Sequence, residues 1–483
     1  MRGSPAIVVA MVAASATPLA GSARAQALER NDFVIDLFQG PVLGSSRIVG
    51  MGGAHAGIAE GIDGVPWNPA ANASRAPWEL SWFEWEVSFS ALFPGAFVGD
   101  DFFNVGPGEA ERVAQFVFVS AGLRLQMDHV GIGALLHDQL FVVGRETPAP
   151  LEALLVRAHV GLAHQLLDGQ LVAGLGVRQA ALYLSSRGLG LVDFDGTAVE
   201  TGLLVRLEGS PWRLGVAARS PVLSRAVRTD GVERGPDGVL RAAGFVLPRA
   251  VRMPWELQLG GAWQLGRPLN LRYDDPDERE RRIRLEAARA RWERERLQVD
   301  AERGEGAGGA VARDPYRWLP RRARDEAWWA AERARRRDEE ALVERRIELD
   351  RWVAEQRVRR LARRYLLVTA DVLLVGPTPD GVGIASFLAQ RREPSGAAPS
   401  IGIRFGFETE PVAQRLKVRA GGYLEPGRSA RSAARLHATV GCDVRLFSWD
   451  LFGLLEPFEL RASVTGDVAH RYTDWGVGLG TWH

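Results

Sequence analysis

The chain has 483 residues, a formal net charge of +1 and 25% charged side chains. That balance excludes the broad basic field of a nucleic-acid binder. The single cysteine, Cys442, excludes a disulfide framework or a cysteine-rich metal site.

Residues 1–25 read as an export signal. Arg2 supplies a minimal positive region, Ala6 to Ala20 a short apolar core, and Ala23-Arg24-Ala25 a small-x-small cleavage site before Gln26. No other stretch offers the ~18 continuous apolar residues of a spanning helix. The exported chain is therefore expected to be periplasmic, secreted, or an outer-membrane barrel.

Residues 26–79 centre on a segment dense in small side chains, Gly44 to Ala73, which carries an apolar anchor every few residues. Small residues let backbone pack on backbone, and Asn68 before Pro69 sets a turn. The segment suits a compact plug lying inside something else, or a glycine-rich loop of a soluble protein. It is not a phosphate-binding fingerprint, because no strand of a βαβ unit feeds it. Met51-Gly52-Gly53-Ala54 followed by Asn68-Pro69-Ala70 resembles the N-terminal signature of the FadL-type outer-membrane transporters, channels for long-chain fatty acids and aromatic hydrocarbons. His55 departs from the aromatic or aliphatic residue usual there. The resemblance implies a hatch, set by those seven residues, that plugs a barrel of about 14 strands.

The rest of the chain alternates with period two. Phe83, Trp85, Val87, Phe89, Ala91 and Phe93 interleave with Glu84, Glu86, Ser88 and Ser90. Similar runs lie at 199–208, 255–265, 401–408, 435–446 and 458–467, and weaker ones near 113–126, 129–143, 153–166, 170–184, 212–220, 366–376, 414–424 and 472–482. Runs of about ten residues fit tilted membrane strands. The expected fold is all-β: an antiparallel transmembrane barrel of about 14 strands, eight in 80–273 and six in 366–483. Residues 94–111, 185–196, 221–253 and 376–397 are then long outer loops, opposite short periplasmic turns.

Residues 274–365 break the pattern. Arg and acidic residues dominate, and 277–303 and 321–365 read as two helices around the breakers of 304–320. Val343, Ile347, Ala354, Val358, Leu361 and Tyr365 form one stripe at helical spacing. Glu344, Glu348 and Arg351, and Glu355 with Arg359, offer pairs along the helix. The insert replaces a short turn, so it is expected as a periplasmic helical hairpin. Trp328, Trp329 and Trp352 supply either its small core or a surface for a periplasmic partner.

No metalloprotease, hydrolase-elbow or Walker pattern is present. The histidines are too scattered for a metal site. Asp193 and Asp195 could hold a loop cation, but solvated loop acids are commoner. No catalytic residue, metal or cofactor is expected. Arg157, Arg178, Arg206, Arg404 and Arg419 lie on the polar faces of strands and are the candidate lumen contacts for a ligand head group. The leading expectation is diffusion-driven uptake of hydrophobic small molecules across the outer membrane of a Gram-negative bacterium, in contact with its lipid. The alternatives are a non-transport scaffold for secreted or periplasmic proteins, and a soluble exported β-protein with a coiled-coil arm.

Overall fold

A computed structural model describes residues 26–75, 83–95, 101–105, 113–143, 150–224, 231–270, 276–305, 320–359, 364–429, 432–449 and 458–482. Residues 1–25, expected as an export signal, and the breaker region 306–319 lie outside the described residues.

Fourteen antiparallel strands close into a barrel. In chain order they are β1 (Phe83–Leu92), β2 (Val113–Met127), β3 (Val130–Val143), β4 (Leu151–Leu166), β5 (Leu171–Ser186), β6 (Leu189–Val205), β7 (Trp212–Arg219), β8 (Glu256–Gly266), β9 (Tyr365–Val375), β10 (Ser400–Val412), β11 (Leu416–Glu425), β12 (Arg435–Trp449), β13 (Phe458–Ala469) and β14 (Tyr472–Thr481). Each pairs with its neighbour in sequence, and β14 closes on β1 through Gly476↔Leu92 to Gly480↔Ser88.

The orientation of the alternation decides the environment. In β1, Glu84, Glu86, Ser88 and Ser90 are buried inside, while Phe89 is 48% exposed. Leu123, Ile132, Val160, Leu175, Leu203, Leu259, Ile403, Val440 and Val464 likewise face outward. Polar residues inside and an apolar belt outside invert a soluble protein and match an outer-membrane barrel. The soluble β-protein reading is thereby overturned.

One end of the barrel carries the first residue of β1, the last of β14 and short connections such as Met127–Val130, Leu166–Leu171 and Val412–Leu416. The other end carries the long connections from Arg219 to Glu256 and from Val375 to Ser400. The expected loop 185–196 is instead a tight turn at Arg187-Gly188 followed by the first half of β6. Leu191 and Phe194 point in and are fully buried, and a bulge at Leu184/Ser185 adjusts the register. Asp193 and Asp195 therefore sit in a strand, opposite Tyr183 and Ala181, and not in a loop.

Two helices leave the short-turn end between β8 and β9: α1 (Pro276–Glu305) and α2 (Arg321–Arg359). Arg267 N–H donates to the Arg364 carbonyl at 3.1 Å, so the strand ends stay adjacent. Ile283, Ile347 and Ala354 are buried between the helices. The acids pair chiefly across the hairpin: Arg284–Glu344 at 2.9 Å, Arg351–Glu280 at 2.8 Å, Arg279–Asp350 at 2.8 Å and Arg346–Glu286 at 2.7 Å. Among the expected stripe, Tyr365 belongs to β9 and donates its hydroxyl to Glu408 at 2.8 Å. The α2 helix stops before it because the strand ladder claims that backbone. Trp328, Trp329 and Trp352 are over half exposed and form no core.

Candidate functional site: a plugged lumen with an arginine-lined chamber

The segment from Ser46 to Ala73 lies inside the barrel as one short helix, Ser46–Gly50, and two 3-10 turns, Ile62–Gly64 and Pro69–Ala73. It seats by backbone contact with glycines of the inner wall. Gly52 has φ +60°, and a Cβ there would lie 2.6 Å from the Gly422 carbonyl oxygen and 2.8 Å from that of Phe405. Reciprocally, a Cβ on Gly406 would meet the Met51 oxygen at 2.6 Å. Met51 and Ala54 are fully buried, and the Ala54 carbonyl accepts from Thr369 at 3.0 Å. Gly53 also needs positive φ, +72°.

The turn at Asn68-Pro69-Ala70 is locked from both sides. The Asn68 amide donates to the carbonyls of Ala56 and Leu203, each at 3.0 Å, and its oxygen accepts from Ala70 N–H at 3.1 Å. Asp371 on β9 accepts the backbone N–H groups of His55 and Ala56 at 2.9 and 2.8 Å. Burial, with the charge of Arg47, lowers the His55 pKa to about 4. Its Nε2 lies 3.2 Å from the Glu60 carbonyl, and Nδ1 has no hydrogen-bond partner.

Beneath the plug, at the short-turn end, charges fill the lumen. Arg47 pairs with Glu408 at 3.1 Å, Arg213 with Glu60 at 2.5 Å, and Arg461 with both Asp63 and Asp443 at 2.8 and 2.9 Å. Burial alone would raise the Glu60 pKa, but the guanidiniums of Arg213 and Arg47 hold it at about 2. Arg419 bridges Glu408 at 2.6 Å and Asp443 at 2.7 Å. Each of these ions finds its opposite, so they form a charge-balanced floor.

Above the plug, toward the long loops, is a chamber. Leu37, Phe38, Val42, Trp67, Met253, Leu373 and Val375 line it together with Arg157, Arg178, Arg219 and Arg404. Arg178 and Arg219 share one carboxylate, Glu256, at 3.1 Å each. Among the described residues no carboxylate pairs with Arg157 or Arg404. Arg157 donates to the side-chain oxygen of Gln39, and its Nε has no partner. Arg404 donates to the Gly53 carbonyl at 3.4 Å and stands across the ladder from Asp371.

Of the five arginines expected to contact a ligand, the structure brings Arg157, Arg178 and Arg404 to the chamber. Arg206 does not reach it: the residue follows β6 at the short-turn end and donates to the Gly169 carbonyl at 2.6 Å. Arg419 belongs to the floor and is saturated by two acids. Its strand position is inward as expected, but it lies too near the short-turn end. The wall glycines and Asp371 escaped the sequence reading. Their signal was small or acidic residues at inward positions of otherwise regular strands. Among the described residues no cluster of three or more His, Cys, Asp or Glu could hold a metal ion.

No protein-family model matches the sequence, and no curated protein does. Among solved structures, the chain is similar to a FadL homologue of Pseudomonas aeruginosa, with TM-score 0.46, 10% identity, and coverage of 92% of this chain and 99% of the other. It is also similar to the P. putida toluene transporter TodX, with TM-score 0.45, 11% identity and coverage of 92% and 98%. The CymD monoaromatic hydrocarbon channel gives TM-score 0.44, 10% identity and coverage of 92% and 96%.

Proposed function

We propose that this barrel admits hydrophobic small molecules across the outer membrane by diffusion, with the short-turn end and its helical hairpin in the periplasm. The observation that carries the reading is the chamber: apolar side chains beside Arg157 and Arg404, two guanidiniums that form no salt bridge among the described residues, with the Glu256 carboxylate on the same lining. A concave site that sets apolar side chains beside converging polar groups, here also Gln39, His137, His159 and Gln258, suits an amphipathic small molecule. Guanidiniums there without a direct ion pair favour a ligand with an acidic head, such as a fatty acid, over a neutral hydrocarbon. The charge-balanced floor offers an apolar tail nothing, so exit requires the plug segment to move or the wall to part.

The test is organic extraction of the purified protein followed by mass spectrometry, then binding of oleate, methyl oleate and toluene to the emptied barrel. Oleate binding that weakens at least tenfold in Arg157→Gln or Arg404→Gln supports the reading. A barrel that arrives empty and binds none of the three, with a periplasmic protein attached, replaces it with the scaffold reading. That second reading draws on the hairpin, where Trp292, Trp328, Trp329 and Trp352 are all exposed. Tryptophan and arginine together are the residues that anchor protein interfaces.

A further inference from the structure

The chain ahead of the plug does something distinct from plugging. Val34–Asp36 is a strand placed between two long loops, pairing in parallel with Ala250–Arg252 on one side and Gly381–Gly383 on the other. With Val222–Ser224 these make a four-stranded sheet at the long-loop end. Phe33, Ile35 and Leu37 are 0–1% exposed and pack with Phe102, Phe194, Val251 and Phe387 into an apolar dome. The chamber begins directly under this dome, and Leu37, Phe38 and Gln39 are part of its lining. The strand is an inner member of the sheet and joins the strands of the two loops, which otherwise touch through Val246 N–H to Gln390 Oε1 at 2.7 Å and Arg249–Asp380 at 3.1 Å.

We propose that Phe33–Phe38 is an outer gate: a strap that ties the two loops over the chamber and opens without movement of the plug. Three observations support this. First, the hydrogen-bonded anchors differ. The strap's main-chain hydrogen bonds go to loop residues, Leu37 N–H to the Arg252 carbonyl at 2.8 Å and Val34 N–H to the Asp380 carbonyl at 2.9 Å, and only its apolar side chains rest on the wall, at residues such as Phe194. The plug is held by wall residues such as Asp371, Glu86 and Asp443. Second, a fixed point separates them. Val42 N–H donates to the Tyr423 hydroxyl at 3.1 Å, leaving Gly40-Pro41 as the hinge.

Third, the lock is polar within an apolar dome. The Asp36 carboxylate, 2% exposed, accepts from Thr378 Oγ1 and Ser395 Oγ at 2.9 Å each and from Arg428 Nε at 3.1 Å. The Arg428 guanidinium also lies 4.6 Å from the Phe38 ring centroid and donates to Ser400 Oγ at 2.9 Å. A buried ion pair adds little net stability compared with apolar packing of the same volume. Its groups can instead exchange one another for water when the strap lifts, so the lock suits a reversible closure.

The test needs no substrate. A reporter cysteine, Leu373→Cys in a Cys442→Ser background, is placed in the chamber and labelled with N-ethylmaleimide in membranes. Labelling should be slow with the native strap and at least tenfold faster with Asp36→Ala, while trypsin still fails to cut at Arg47 in the plug. Equal labelling rates, or plug cleavage that rises in step with labelling, would overturn the proposal. Because Asp36→Ala can compromise assembly, hydrogen exchange on the unaltered protein supplies the second measurement. Amides of 33–38 should exchange at least tenfold faster than those of 46–53. Equal or slower exchange in the strap means that it does not open independently. These readouts are blind to what the chamber binds, so their failure leaves the transport reading untouched.

Discussion

Gly52→Ala is the sharpest probe of how the plug is seated. The added Cβ would lie 2.6 Å from the Gly422 carbonyl oxygen, 2.7 Å from the Gly422 nitrogen and 2.8 Å from the Phe405 oxygen. All three are main-chain atoms of a closed barrel and cannot rotate away. Holding a non-glycine residue at φ +60° adds about 1–2 kcal/mol, and overpacking adds about 1–3 kcal/mol. The plug should therefore lose about 2–5 kcal/mol of seating free energy while the barrel ladder stays intact. Gly261→Ala is the control, since its Cβ meets nothing nearer than 3.7 Å and should stay within about 0.5 kcal/mol of the native protein. Urea unfolding in detergent followed by tryptophan fluorescence gives the stability. Limited trypsin at Arg47 and Arg75 reports the plug itself. If Gly52→Ala matches Gly261→Ala in both readouts, the plug does not depend on main-chain contact with the wall.

Further outcomes follow from the same geometry. Asp371→Ala strands the N–H groups of His55 and Ala56 and the Gln258 amide; it should cost about 2–4 kcal/mol, and clearly more than Asp371→Asn, which keeps an acceptor. Arg419→Met removes the cation that Glu408 and Asp443 share but leaves them Arg47 and Arg461, and should destabilise by about 1–3 kcal/mol in the same urea assay. His55 is held neutral to about pH 4 in the plug, whereas its ordinary value is 6.5. As pH falls through that window the unfolded chain takes up the proton first, so the His55 contribution is complete above pH 6.5 and lost by pH 4. The loss should reach about 3 kcal/mol, and His55→Gln should flatten the slope; identical slopes would show that His55 is not desolvated. Replacing 276–359 by a short Gly-Ser linker should leave the unfolding midpoint nearly unchanged. A large drop would mean that the hairpin braces β8 and β9.

The strand count and the polarity of the lumen were legible because period-two alternation is a local property, carried by residues such as Trp85 beside Glu84 and Glu86. The split of the strands around the charged insert was legible for the same reason. The extent of β6 was not: Asp193 and Asp195 look like loop acids until the pairing with Tyr183 and Ala181 is known. Which inward arginine lacks a direct ion pair was also hidden. Arg404 and Arg419 occupy similar inward positions in neighbouring strands, yet one faces a chamber of mixed lining and the other pairs with two carboxylates. Height along the barrel and the path of the plug decide that, and both are long-range. The strap was invisible because three residues are too few to show a period.

The parallel pairing of Val34–Asp36 also sets an order of assembly. A strand flanked on both sides by later segments cannot be docked as it emerges; Asp36 meets Thr378 only after 342 further positions have been made. The segment Val34–Asp36 must wait, unpaired, while the barrel after it is built. Contacts of such separation close late and slowly. The last event in folding is therefore expected to be the insertion of this early strand into a slot left open for it.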